Sequence, residues 1–193
     1  MSLKNILTLS ILICFNIHYT IRGEIILGAE IPNLDITKIL GKWYLVGSTE
    51  ATSELFCVNI IVQQQSENNF MMAAEVSLMP FLKTKYSLNS SKIISNVQMN
   101  ATKIDGSSII NVEQYPGNKS VLVISDVNYD FYMVFYSSDT MTHLNDGTHA
   151  IIYIFSREKT LSDDVFDKVK NSNFYTQGID SMNKLLRVKA NVC

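Results

Sequence analysis

The chain has 193 residues, 47% of them hydrophobic, with 16 basic and 18 acidic side chains and a net charge of −2. That is one domain's length with apolar content ample for a core, which excludes a disordered or low-complexity polypeptide. No Lys/Arg stripe interleaved with aromatics runs along it, so no nucleic-acid partner is expected.

Lys4 precedes an apolar run from Ile6 to Ile17. A charged start followed by a hydrophobic segment too short to cross a bilayer comfortably reads as a signal peptide. We place it at residues 1–23, with cleavage near Gly23, although Ile21 is not the small residue a peptidase prefers. Residues 24–193 are then one mature domain, secreted and extracellular, with no other stretch apolar enough for a membrane span. Losing residues 1–23 removes Lys4 and Arg22 and leaves 14 basic side chains against 18 acidic ones, a net −4. It also removes Cys14, so Cys57 and Cys193 remain. An even pair in an exported protein is expected to be oxidised, which ties the chain's end to an early strand.

The first strand is predicted at 42–50, entered over Gly41-Lys42-Trp43-Tyr44, which holds the single tryptophan. Further runs rich in β-branched and aromatic residues predict strands at 55–64, 69–78, 92–102, 108–115, 120–126, 131–138 and 149–156. Residues 80–91 read as either a loop or a strand continuation. Turn chemistry separates the runs: Glu67-Asn68-Asn69, Asp105-Gly106, Pro116-Gly117-Asn118, Asn128-Tyr129-Asp130 and Asn145-Asp146-Gly147. Such short links do not allow parallel crossovers, so the neighbours are antiparallel. Eight strands of this kind close into an up-and-down barrel and so remove both sheet edges; a sandwich is the competing architecture.

One helix follows the strands. Ser162 caps it, Asp163 and Asp164 suit the positive end of its dipole, and Lys168 and Lys170 suit the other. Leu161, Val165, Phe166 and Val169 share one face, so the helix is expected to lie outside the barrel. This accounts for Phe131–Tyr136 and Ile151–Phe155, which are apolar at every position: one parity serves the lumen and the other the helix.

Chemistry finds little support. Gly-x-Ser-x-Gly, Cys-x-x-Cys and His-Glu-x-x-His are all absent. His143 and His149 have a spacing that suits no compact metal site. No catalytic residue, metal or cofactor is therefore expected. Sequons stand at Asn89, Asn100 and Asn118, the first and last read as loop sites and Asn100 as mid-strand. A chain this rich in Asn, Ser and Thr also makes such triplets by chance.

Three separated stretches together resemble the lipocalin family: Gly41-Lys42-Trp43-Tyr44; Ile124-Ser125-Asp126 leading through Tyr129 into 131–138; and Ile154-Phe155-Ser156-Arg157. The middle stretch is similar to the family's Thr-Asp-Tyr turn, with Ser125 for Thr and Val127 for Tyr. The last stretch supplies an arginine that, in the family, packs across the tryptophan at the closed end. Gly41, Trp43, Asp126 and Arg157 are the structural positions this implies. Phe56-Cys57-Val58 and a tail running through Ser172-Asn173 and Gly178-Ile179-Asp180 to Asn191-Val192-Cys193 are similar to the apolipoprotein D and insect bilin-binding group, in which the two cysteines pair. The group's other disulfide is missing at both ends, Ser138 and Glu30-Ile31-Pro32, which removes a covalent tie on residues 24–34.

The resemblance implies a lumen lined by Leu122, Ile124, Met133, Phe135, Ile151, Tyr153 and Phe155, suited to a small lipophilic ligand such as a retinoid, bilin, sterol, fatty acid or odorant. Burying about 400 Å² of such a molecule favours binding by roughly 10 kcal/mol before the cost of association. It implies a secreted carrier without catalysis. The alternative is a secreted interaction or inhibitor protein, its target unknown, acting through loops near 50–56, 79–91 and 139–148. A family isomerase would need a free thiol in the lumen, and the disulfide would consume Cys57.

Overall fold

The computed structural model describes residues 31, 34–85, 95–104, 107–115, 118–138, 151–171 and 185–193. Eight antiparallel strands follow one another: β1 (Gly41–Ser48), β2 (Phe56–Gln64), β3 (Asn69–Leu78), β4 (Ser95–Lys103), β5 (Ile109–Tyr115), β6 (Asn118–Asn128), β7 (Tyr132–Ser138) and β8 (Ile151–Ser156). Each pairs with the next, and β1 pairs with both β8 and β2, so the sheet closes and the sandwich is excluded. A ninth strand, β9 (Leu186–Arg187), adds to the far end of β1.

Alternation decides which side chains face inward. In β3 buried and part-buried residues alternate, and Phe70, Met72, Ala74 and Val76 are the buried set. Inward residues of all eight strands form one core with Leu34, Ile36 and Ile39 of the lead-in. Another apolar layer lies outside the sheet and joins Val46, Val123, Val134, Tyr136, Ile152 and Ile154 to the helix α2 (Asp163–Lys170). The doubly apolar strands therefore have the two-sided role expected of them.

Helix α2 begins as its sequence demands. The Ser162 hydroxyl accepts from the Val165 amide, two acids occupy the first turn and two lysines the last, and Phe166 and Val169 are buried. It docks where β1 carries Gly47: a Cβ there would stand 2.8 Å from the Phe166 ring and 3.2 Å from Ile154 Cδ1. The missing side chain is what lets the ring reach the sheet.

Three sequence expectations are corrected. Residues Pro80–Lys85 are neither loop nor strand but a short helix, here α1; proline at a first helical position loses no hydrogen bond. Phe131 precedes β7 and is 59% exposed, so it serves neither the lumen nor the helix. Asn118 is the first residue of β6, paired with Tyr115, rather than part of a loop. Asn100 does sit mid-strand in β4, on its exposed side. Residues 1–23 with Cys14, the sequon at Asn89, His143 and His149, the Asp105-Gly106 and Asn145-Asp146-Gly147 turns and the 172–180 part of the tail lie outside the described residues.

Candidate functional site: a plugged barrel with an apolar lumen

The closed end is built on Trp43. Its ring is fully buried and its indole N–H donates to the Ile39 carbonyl at 2.8 Å. That carbonyl belongs to a 3-10 turn (Ile36–Ile39) whose start is capped by Asp35. The Arg157 guanidinium lies 3.6 Å from the centre of the indole. It donates to the carbonyls of Lys38 and Leu40 at 2.8 Å and of Tyr129 at 3.2 Å. Three segments far apart in sequence are thus stitched by one planar fork, an arrangement lysine's point charge does not reproduce. Burial lowers the Arg157 pKa from its ordinary value, with Asp130 opposing, and an arginine stays charged regardless. Gly41 has φ +95°, and a Cβ there would press on Arg157 Nη1 at 3.3 Å. Glycine is required for both reasons.

Asp126 accepts a hydrogen bond from the Tyr132 hydroxyl at 3.0 Å. Burial, and then the negative carboxylate, push the phenol up to about 12. The lead-in, which lacks its own disulfide, is held by other means: the Ile31 amide donates to Ser108 Oγ, the Asp35 amide donates to the Tyr129 hydroxyl, and Leu34 is 2% exposed.

Above the plug the barrel opens into a cavity of about 70 Å³, the space open to the centre of a water-sized sphere. That is a small cavity beside ordinary small-molecule pockets of about 300 Å³ and more. Of the seven lumen residues expected from the sequence, Leu122, Phe135, Tyr153 and Phe155 line this cavity. Phe135 and Phe155 meet edge to face with ring centres 5.4 Å apart. Ile124 and Met133 face inward but are fully buried in the packed core and do not line the cavity, and Ile151 packs against the same core partly buried.

Reasoning from the sequence missed other lining residues, among them Leu45, Ile60, Met72, Ala74 and Met99, although their alternation in the strands signalled them. It also missed Glu50, which the predicted strand 42–50 included but β1 leaves out, and Ser53, in a 3-10 turn (Ala51–Leu55) between β1 and β2. Among the described lining residues the polar ones are Glu50, Ser53, Ser120 and Tyr153, and the wall they help to form is almost wholly apolar.

Cys57 and Cys193 are joined, Cα to Cα 5.7 Å, across 136 residues of chain. Met79 lies against the bridge, its sulfur 3.6 Å from one Sγ and 3.7 Å from the other. No group of His, Cys, Asp and Glu among the described residues could hold a metal ion. No helix among them is long and apolar enough to cross a membrane.

Known structures share this architecture. The siderocalin Ex-FABP, described as functioning through dual ligand specificities, superimposes with a TM-score of 0.55 at 14% identity, covering 78% of this chain and 89% of its own. Lobster apocrustacyanin A1 gives 0.58 at 17% identity, covering 88% and 90%. No curated protein matches at the level of sequence. Residues 40–183, from the residue before Gly41 to beyond the outer helix, match the lipocalin / cytosolic fatty-acid binding protein family. With that stretch spanning most of the closed barrel, the chain belongs to the lipocalin / cytosolic fatty-acid binding protein family.

Proposed function

We propose that the protein is a secreted carrier that holds a small hydrophobic ligand in the barrel lumen and performs no chemistry on it. The observation that carries this is the apolar cavity above a base sealed by Trp43 and Arg157. Family membership supports it, since such barrels are generally binding proteins. The ligand set lies among Leu122, Phe135, Tyr153 and Phe155, with Ile124, Met133 and Ile151 backing them. The cavity's small size favours a compact or slim lipophile over a bulky sterol or bilin. Secretion rests on the signal-like residues 1–23 and is supported by the Cys57–Cys193 bridge, which persists in oxidising compartments. The same bridge supports a place near the apolipoprotein D and bilin-binding group.

The test is a titration of the folded protein with retinol, a fluorescent fatty acid and biliverdin, followed by Trp43 and tyrosine emission. Saturable binding of at least one slim lipophile is expected. Ala74→Phe, which puts a ring into the cavity, is expected to weaken it tenfold or more with the far-ultraviolet dichroism unchanged. Failure of every lipophile to saturate would overturn the reading. A biological activity that survives the blocked lumen would point instead to action on a protein partner through the loops.

A further inference from the structure

The lumen ends on a layer of side chains at one depth, and two of them are methionines. In β3 the inward residues run from Phe70, buried in the base, to Met72, Ala74 and Val76 on the cavity. In β4 the boundary falls between Ala101 and Met99, and in β7 between Met133 and Phe135, the first of each pair in solid core and the second on the cavity. Met72 and Met99 are direct partners in the β3–β4 register. Side chains opposed in this way on one face of an antiparallel pair are close neighbours. The two thioether chains therefore lie side by side where the cavity meets the packed base, and both are buried, 3% and 6% exposed.

Little else in that layer can change shape. Leu45, Ile60, Val112 and Leu122 are branched, and Phe135 and Phe155 are rings set edge to face. Methionine is unbranched, with three rotatable bonds, so it fills an irregular gap in any of several staggered conformers. The next inward residue below Met99 carries only a methyl group, that of Ala101. Polarity gathers at the opposite end. Glu50 and Ser53 follow the open end of β1, Ser120 stands near the open end of β6, and the Tyr153 hydroxyl is engaged with Glu50 Oε2 at 3.2 Å. The deep layer is hydrocarbon and thioether.

We propose that Met72 and Met99 form a yielding floor that sets how long a lipophile the lumen accepts. An unbranched chain enters tail first and pushes the two thioether chains into other rotamers, while its polar end stays at the mouth. This rests on the carrier reading above and deepens it. The ligand class is a slim chain with one polar end, rather than a rigid polycycle or a molecule polar at both ends. Each methylene that reaches the floor leaves water, and only side chains with several rotamers have to move.

The experiment measures binding of 1-hexanol, 1-octanol and 1-decanol by calorimetry to the folded wild type, to Met72→Leu/Met99→Leu and to Met99→Ala. In the wild type, affinity is expected to rise about tenfold with each two carbons through 1-decanol, the gain of two buried methylenes. Leucine conserves the volume and keeps the fold, but its branch does not swing clear of an entering chain. The leucine pair is expected to bind 1-hexanol within about twofold of the wild type, and to hold 1-decanol no tighter than 1-octanol. Met99→Ala deepens the floor and is expected to favour 1-decanol over 1-hexanol more strongly than the wild type does; if that variant fails to fold, the leucine pair decides. Wild-type affinity that stops rising at 1-octanol, or a leucine pair that follows the wild type through 1-decanol, overturns the inference while the carrier reading stands. Saturation by retinol with no alkanol bound does the same. If no lipophile saturates the lumen, the carrier reading falls and takes this one with it.

Discussion

Two side chains carry most of what holds the closed end together, and each does so by satisfying a neighbour's needs. The indole of Trp43 fills the base and finds its hydrogen-bond acceptor in Ile39. Arg157 covers it and satisfies carbonyls that would otherwise face the apolar ring. The expected pairing of these two residues was legible because the motif positions stand in the right order in the chain. The Tyr132–Asp126 pair beside them was not, since a hydroxyl and a carboxylate six residues apart signal nothing without the turn between them. That pair makes a prediction about alkaline pH. The folded phenol is raised to about 12, against about 10 in an unfolded chain. The unfolded state therefore gives up its proton first as pH rises, and the stability held below pH 10 is lost between about 10 and 12. Urea unfolding followed across this range is expected to show a steeper loss for the wild type than for Tyr132→Phe.

Among the elements, the strands were legible because their residues repeat with the period of a half-buried sheet, and α2 because cap, dipole charges and apolar face agree. What escaped were the places where period breaks. The register shift of β1 against β8, between Leu45 and Gly47, leaves no mark in the sequence, yet it turns Gly47 toward α2 and sets Ser48 opposite Tyr153. Pro80–Lys85 is too short for a helical period to register. Asn118 reads as a turn residue by its type, and pairing with Tyr115 recruits it into β6. The contact between Gly47 and Phe166 is the sharpest test of the outer layer. Gly47→Val inserts a branched side chain where even a single carbon stands 2.8 Å from a buried ring. A loss of about 1–3 kcal/mol is expected by chemical denaturation, the usual cost of overpacking. Phe166→Leu in the same background is expected to recover part of it, as a double-mutant cycle would show.

For the whole molecule, closure of the sheet by the β1–β2 pairing and of the chain by the disulfide act on different states. Pairing gives each of β1–β8 a neighbour on both sides. The bridge, spanning 136 residues, acts by restricting the unfolded chain and is worth about 5 kcal/mol in the chain-entropy account. The double variant Cys57→Ser/Cys193→Ser is expected to lower unfolding free energy by a large part of that amount, read from the urea midpoint, with β9 and the last residues exchanging amide protons fastest. By itself the sequence determined the all-β class, the antiparallel order and the outer helix, because these depend on short-range periodicity and turn chemistry. The inward parity of β6, β7 and β8 and the residues of the plug were legible through the resemblance carried by residue types at motif spacing. Only the tertiary structure decided how deep the packed base extends, leaving Ile124 and Met133 in solid core and Phe135 and Tyr153 on open space. It alone brought Glu50 to Tyr153. The reason is physical: depth in a closed barrel is set by the register of strands paired across long separations, and a one-residue slip in one strand turns its remaining side chains to the other face.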